Sequence, residues 1–321
     1  MKKLTIPICL LLLISVLPIS ASAADLLVPV GEVIGLKLDD GSVSVADFDG
    51  ETGAAAQSSG LQRGDRIVSV DGKKVTSVSD VHNALSGCGD KVALKIQRGK
   101  KEKTFWLSPA QTPHGARLGL YLKEGITGVG TVTFYDPQSG HFGALGHGVN
   151  TQNGKLLQMR EGTAYDASIL TVKKGKVGTP GQLVGALDGA TTIGTISKNT
   201  HQGIFGTADT AWEGAALPVC EPEKVCTGNA TIRSTVNNGP VQEYSVEILK
   251  IYPTAGEKGR NMLLRVTDPD LLAATGGIVQ GMSGSPIIQD GKLVGAVTHV
   301  LVNDPTTGYG IFIENMLDAA A

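Results

Sequence analysis

The chain has 321 residues, with 43 glycines, 4% aromatics and a formal charge of −2. That length suggests about two domains, and the glycine content suggests many turns between short strands. The charge is near neutral, and no basic patch or aromatic-basic interleaving gives a case for nucleic acid as a partner.

Residues 1–23 read as a secretory signal. Lys2 and Lys3 form a charged start, Leu4 to Ile19 an apolar stretch, and Ala21-Ser22-Ala23 an A-x-A cleavage site. The competing reading is an uncleaved membrane anchor, for which the apolar run is somewhat short and is interrupted by Pro18. No later segment is long and apolar enough to cross a bilayer, so membrane association is expected only through this segment. Its removal takes away two of the 28 basic residues and leaves a charge of −4. Cys9 lies in the signal. The remaining Cys88, Cys220 and Cys226 are an odd set that does not read as a disulfide framework, although Cys220 and Cys226 could close a short loop in an oxidising compartment. Neither cysteines nor histidines show metal-ligand spacing, so no metal or other cofactor is expected.

Residues 26–110 have a distinct character. Pro29 to Leu38 leads from a glycine-containing loop into an alternating strand. In Gly60-Leu61-Gln62-Arg63-Gly64-Asp65-Arg66-Ile67-Val68-Ser69-Val70-Asp71-Gly72, a turn feeds a strand that ends at a tight Asp-Gly turn. Ser79 is placed to cap a short helix over Asp80–Leu85, with Val81 and Leu85 on one face. Lys91–Gln97 and Thr104–Leu107 alternate as a hairpin, whereas Asp47–Ser59 reads as loop. This stretch resembles a PDZ domain, especially the kind attached to bacterial secreted proteases. The resemblance implies a groove between the strand near Leu36 and the helix. An extended peptide would add there as a strand, held by amides near Ile34 and Gly35 and lined by Leu36, Val81 and Leu85. The alternative is a small β domain with no peptide partner.

Ser108 to Gly115 reads as a linker. Residues 116–321 then show short strands between glycine turns: Leu118–Leu122, Gly128–Phe134, Thr192–Ser197, Val241–Ile251 and Leu263–Val266. No notable helix is expected before Ile313–Ala319. Such spacing favours a sandwich or barrel. Within it, Gly281-Met282-Ser283-Gly284-Ser285-Pro286 places a serine between glycines on a turn, where the amides of Gly281 and Ser283 would form an oxyanion hole. Pro286 to Ile288 reads as a strand, Asp290-Gly291 as a hairpin turn, and Leu293–Val300 as the returning strand.

A nucleophilic serine needs a histidine within hydrogen-bond reach, oriented by a third group. His147, in Phe142-Gly143-Ala144-Leu145-Gly146-His147-Gly148, has small neighbours on both sides. It precedes Ser283 by 136 residues, against about 140 in the chymotrypsin template. By spacing, Asp188 lies near where that template has its acid, and Asp166 is another candidate. Thr298-His299-Val300 would run beside the scissile peptide as an edge strand and touch substrate. No acid lies between Thr275 and Met282, which argues against a pocket for Lys or Arg.

Gly143-Ala144-Leu145-Gly146-His147-Gly148, Val266-Thr267-Asp268-Pro269, the Gly281–Pro286 hexapeptide and Gly295–Gly310, all behind a PDZ-like region, resemble the stage IV sporulation protein B peptidase family. The resemblance implies a mainly β chain, with an N-terminal PDZ domain followed by a chymotrypsin-like double β-barrel serine peptidase domain. It also implies His147 as general base, Ser283 as nucleophile and Asp268 as acid. Asp268 precedes Ser283 by only 15 residues, which departs from the template, where the acid falls nearer the histidine. Further implied are export across the inner forespore membrane into the space between the spore membranes, as a secreted or transiently anchored protein, and self-cleavage. The expected substrate is a membrane-associated regulator of an intramembrane protease, whose cleavage triggers late sigma-factor processing. Two rival readings are an envelope quality-control protease, whose PDZ domain follows the catalytic domain, and a PDZ adaptor with an inactive protease-like domain.

Overall fold

The computed structural model describes residues 26–151, 154–186, 191–254 and 260–321. The signal-like segment and Asp188 lie outside the described residues. Strand β1 (Leu26–Pro29) leads into the 16-residue β2 (Val33–Phe48). Next come helix α1 (Ala54–Ser58), β3 (Arg66–Val70), β4 (Lys73–Lys74), helix α2 (Val78–Leu85), β5 (Val92–Arg98) and β6 (Lys101–Leu107). A small hairpin, β7 (Ala110–Thr112) and β8 (Gly115–Arg117), precedes the 16-residue β9 (Leu120–Tyr135). The chain continues through β10 (His141–Ala144), β11 (Glu161–Asp166), the ribbon β12 (Ser168–Lys173) and β13 (Gln182–Ala186), β14 (Thr192–Thr200), β15 (Gly203–Ala208) and β16 (Leu217–Pro218).

The pairing β2-β9-β10-β15-β14-β11, with β11 returning to β2, closes a six-stranded barrel. A second closed barrel follows, from β17 (Gly228–Ser234), β18 (Gln242–Ile251), β19 (Met262–Val266), β20 (Pro286–Gln289), β21 (Lys292–Leu301) and β22 (Asp304–Phe312). Helix α3 (Pro269–Thr275) interrupts it, and helix α4 (Ile313–Ala320) closes the chain. The Asp290-Gly291 turn joins β20 to β21 with both residues at positive φ, 51° and 71°, as a two-residue hairpin requires.

The PDZ-like unit is inserted into the first barrel and does not simply precede it. Residues Ile34–Leu38 of β2 pair with β11 on one side and β9 on the other, so they are barrel staves. Only the far half of β2, from Val43, pairs with β3 and with Leu120–Glu124 of β9 inside the insert. The ribbon kinks where its register shifts, between Leu38 and Val43. Gly125 sits at that kink with φ +59°, and a Cβ there would lie 2.1 Å from the Leu38 carbonyl oxygen, so a side chain is excluded on both counts. The unit read as residues 26–110 therefore begins after the first barrel stave and ends inside β9. Alternation alone could not show this, because one strand serves both bodies.

Within the insert, Ser77 rather than Ser79 caps α2, in a capping box with Asp80. Asp65 of the Gly-Asp turn is buried and receives two hydrogen bonds of 2.6 Å from Arg98. A buried carboxylate needs such a partner. Cys220 and Cys226, a candidate loop closure from sequence, are free thiols.

Candidate active site

His147 and Ser283 arrive from different barrels. Leu145 and Gly146 both take positive φ, 70° and 66°. For a leucine this costs roughly 1–3 kcal/mol. It is held there by its amide, which donates to Thr131 O at 3.1 Å, and by burial of its side chain over Gly130, where a Cβ would meet Leu145 Cδ2 at 2.1 Å. The double left-handed turn lifts His147 off the end of β10 towards the second barrel. Gly146 packs so close to Thr298 that a Cβ would lie 2.9 Å from its Cγ2.

The serine loop is fastened to the first barrel by one strand. From β9, Thr131 N donates to Ser283 O at 3.0 Å, Thr131 Oγ1 to Gly281 O at 2.7 Å, and Thr133 Oγ1 to Gly284 O at 2.8 Å. Both threonines are fully buried. Gly284 has φ +98°, and a Cβ there would stand 2.0 Å from Thr131 O, so only glycine permits this approach. Met282 is buried on one side of the loop, and Ser283 faces a 540 Å³ cleft between the barrels. Among the described residues, neither the Gly281 amide nor the Ser283 amide donates to any acceptor.

The cleft is lined by first-barrel residues such as Leu36, Leu38 and Val129, and by second-barrel residues such as Ile278, Val279 and Val300. The Ser283 hydroxyl donates to Thr298 O at 2.8 Å. His147 Nδ1 lies 3.0 Å from Gly148 O. A carbonyl only accepts, so Nδ1 carries the proton and Nε2 is left as the basic nitrogen. Burial pushes the His147 pKa down, opposed by the Gly148 hydrogen bond. The His299 ring stands 5.1 Å from that of His147. The residue is exposed to solvent, yet its pKa is lowered to about 4, first by partial desolvation and then by His147 and Arg260.

The other residues singled out from the sequence fall as follows. Thr298, His299 and Val300 line the cleft on β21, beyond the point where β20 ends its pairing at Pro286–Ala296. Asp268 is not brought to His147. It caps α3, accepting from Asp270 N and Leu271 N at 3.0 Å each and from Ser245 N at 3.3 Å, and it is absent from the cleft lining. The helix it starts was not expected, and an Asp-Pro step followed by a short apolar stretch is the signal that could have found it. Asp166 is exposed at the end of β11.

Ile34, Gly35 and Leu36 are also not where the peptide groove was expected, since both edges of their strand are occupied in the first barrel. Val81 and Leu85 are buried against Leu118, Leu120 and Leu122 instead. Helix α2 lies beside β8 and the start of β9. Val78 N donates to Glu124 Oε1 at 2.6 Å, and Arg117 Nη1 lies 3.2 Å from His82 Nε2. Leu120–Glu124 pairs with β2 on one edge only, so among the described residues its other edge is open for strand addition. A 380 Å³ pocket lined by His82, Leu85 and Arg117 lies at the end of α2. Sequence reasoning also missed Thr131 and Thr133. Their signal was two polar residues alternating on a strand otherwise apolar enough for a core.

Two closed six-stranded barrels with a histidine and a turn serine at their junction, and an inserted PDZ domain, give the architecture of a chymotrypsin-like serine peptidase. The profile of the SpoIVB peptidase S55 family matches residues 114–317, and that of a PDZ domain matches residues 49–98. The chain belongs to the SpoIVB peptidase S55 family. Among curated proteins it is 39% identical over 75 residues to one from Mesorhizobium japonicum and 35% identical over 82 residues to one from Brucella suis, both named as zinc metalloproteases. Those matches cover 23% and 25% of this chain, and 20% and 22% of the relatives, so the chain spans about a fifth of their length. Among the described residues, no three His, Cys, Asp or Glu side chains are gathered to hold a metal. Among solved structures, the Rv3671c protease of M. tuberculosis in its active form is 14% identical, with a TM-score of 0.36, covering 61% of this chain and 75% of that one. An HtrA-type protease, AlgW, with a tripeptide is 12% identical, with a TM-score of 0.37, covering 60% and 54%. Both scores are low, and the double-barrel assignment stands on the strand topology.

Proposed function

We propose that Ser283 is the nucleophile and His147 the general base of a serine endopeptidase. The observation that carries this is their convergence from two barrels on one cleft, beside two unengaged amides. His147 Nε2 takes the Ser283 hydroxyl proton as Oγ attacks the peptide carbonyl carbon, and the Gly281 and Ser283 amides hold the oxyanion. The same imidazolium then protonates the leaving amine as the C–N bond breaks. A water repeats the sequence in reverse to free the acyl group and return the serine proton.

In the resting arrangement the hydroxyl donates to Thr298 O, so a Ser283 rotamer change precedes attack. At Nδ1 the Gly148 carbonyl stands where the template has a carboxylate, and it fixes the tautomer that makes Nε2 basic. The test is labelling with a fluorophosphonate probe. Wild type labels and Ser283→Ala does not; equal labelling of the two removes the enzyme reading and leaves the adaptor.

The biological task we propose is cleavage of a membrane-associated regulator between the two spore membranes, which triggers late sigma-factor processing, together with self-cleavage near the N-terminus. Membership of the SpoIVB peptidase family, the signal-like start and a peptide-binding PDZ insert support it. The check is N-terminal sequencing of the mature protein from a sporulating cell, alongside the Ser283→Ala chain. If sporulation proceeds unimpaired with Ser283→Ala, this role is wrong.

A further inference from the structure

The cleft walls carry no Asp, Glu, Lys or Arg among the described residues, and their ionisable groups are His147 and His299. The mechanism uses the first and leaves the second idle. His299 sits directly opposite Tyr309 in the β21–β22 ladder, and the Arg260 guanidinium lies over the Tyr309 ring, 5.0 Å from its centroid. Among the described residues, Arg260 is in no ion pair with a carboxylate. The imidazole in the cleft wall and the unpaired guanidinium are thus both neighbours of one tyrosine, which with Arg260 lies just outside the cleft lining. An unpaired guanidinium beside a protonatable ring favours an anionic partner.

The strand itself says which part of the substrate meets them. Thr298 O is beside Ser283 Oγ, and β21 runs from there through His299 to Val300, away from the serine. A peptide added antiparallel to this edge passes Val300 and His299 before its scissile carbonyl reaches Ser283. The residues that meet His299 thus lie on the N-terminal side of the cut bond.

We infer that His299, backed by Arg260, selects substrates with an Asp or Glu side chain within three residues before the cleaved bond. Partial desolvation, then His147 and Arg260, keep His299 neutral when the site is empty although the residue stays exposed to solvent, and a substrate carboxylate offsets that by favouring the charged ring. The apolar residues Ile278, Val279, Val300 and Val302 remain to receive the side chains on either side of the acid.

This rests on the assignment of Ser283 as nucleophile, and the experiment separates the two. A proteome-derived peptide mixture is digested with the full chain, and the residues around each new terminus are read by mass spectrometry. At one of the three positions before the cut, acidic residues are expected at least threefold above background. The Arg260→Gln and His299→Gln chains are each expected to lose that enrichment, whether or not their overall rates change. No enrichment in wild type, or enrichment that survives both substitutions, overturns the inference. If wild type cuts nothing that Ser283→Ala spares, the nucleophile assignment falls instead. The selectivity is then judged from binding of fluorescent Glu- and Gln-containing Ala/Val octapeptides to Ser283→Ala, where at least tenfold tighter binding of a Glu peptide is expected and equal affinity rejects it.

Discussion

The two barrels do the same job of presenting one group each, yet they are written into the chain differently. The second barrel is laid down consecutively from Gly228 to Phe312, with α3 and the serine loop between β19 and β20. The first is split: stave β2 is complete by Leu38, the chain leaves to build the PDZ insert, and it returns at Ile126 as β9. That return strand also fastens the serine loop through Thr131 and Thr133. The first barrel thus carries the inserted domain at one end of a strand and the active-site contacts at the other. A barrel tolerates this because the β2–β9 ladder is paired on both sides of the kink, so the insert extends a hairpin without breaking one.

The largest expected effect removes the chemistry and spares both barrels. Ser283→Ala should lose at least about a thousandfold in kcat/KM, by analogy with serine protease triads, with an unchanged melting curve. Next is a cut through the split. A chain starting at residue 116, where the peptidase domain begins by sequence, lacks stave β2 and should be unfolded by circular dichroism and unreactive to the probe. By contrast, joining Leu38 to Ile126 through Asn-Gly deletes the insert but restores a two-residue hairpin between residues already paired. That shortened chain should fold and label within about tenfold of the wild-type rate, the tolerance expected when an insertion at a hairpin is removed. If both truncations fail alike, the insert is a structural part of the first barrel.

The second barrel was largely legible because its signals are local. Alternation marked β18 and β19, Asp290-Gly291 marked the hairpin, and the glycines around Ser283 marked a turn needing positive φ. The first barrel was legible only in pieces. His147 stood out by its small neighbours, but nothing in Ile34–Leu38 says that its edges pair with residues about 90 and 130 positions away. An alternating strand looks the same in a PDZ domain and in a barrel. The groove was misplaced for the same reason, since Leu118–Leu122 follows the linker and reads as a strand of the next domain. Gly148 O could not be found at all, because a backbone acceptor has no residue signature.

A smaller effect concerns the ring from each barrel. A base that takes the serine proton must be neutral, and burial holds His147 below its ordinary 6.5, so kcat/KM should fall along an acid limb whose midpoint lies below pH 6.5. An acid limb at or above 6.5 would show that the ring is not buried as described. The same depression links to stability. Between the folded and unfolded pKa values the unfolded chain binds more protons, so stability is full above 6.5 and declines as pH falls. For His299 the decline runs from 6.5 towards about 4. Melting temperatures across that range should fall less steeply in His299→Gln than in wild type.

The smallest effect separates a cap from a catalyst. Asp268→Ala removes the acceptor of three backbone amides at the start of α3, which should cost about 1 kcal/mol, or roughly 2–4 °C in melting temperature for a domain of 150–250 residues. Asn and Ser also cap helices, so Asp268→Asn and Asp268→Ser should recover most of that loss. Neither should change kcat/KM more than about twofold below the melting range, because among the described residues no contact joins Asp268 to His147. A catalytic acid behaves in the opposite way: replacing the triad aspartate by asparagine keeps the geometry yet costs about 10⁴ in kcat in the template. Asp268→Asn is therefore the decisive substitution, since it preserves the cap and removes only the charge. A hundredfold fall in kcat/KM with an intact melting curve would move Asp268 from the frame of the second barrel to its chemistry. The parallel Asp188→Asn chain shows whether the first barrel supplies a carboxylate in its place.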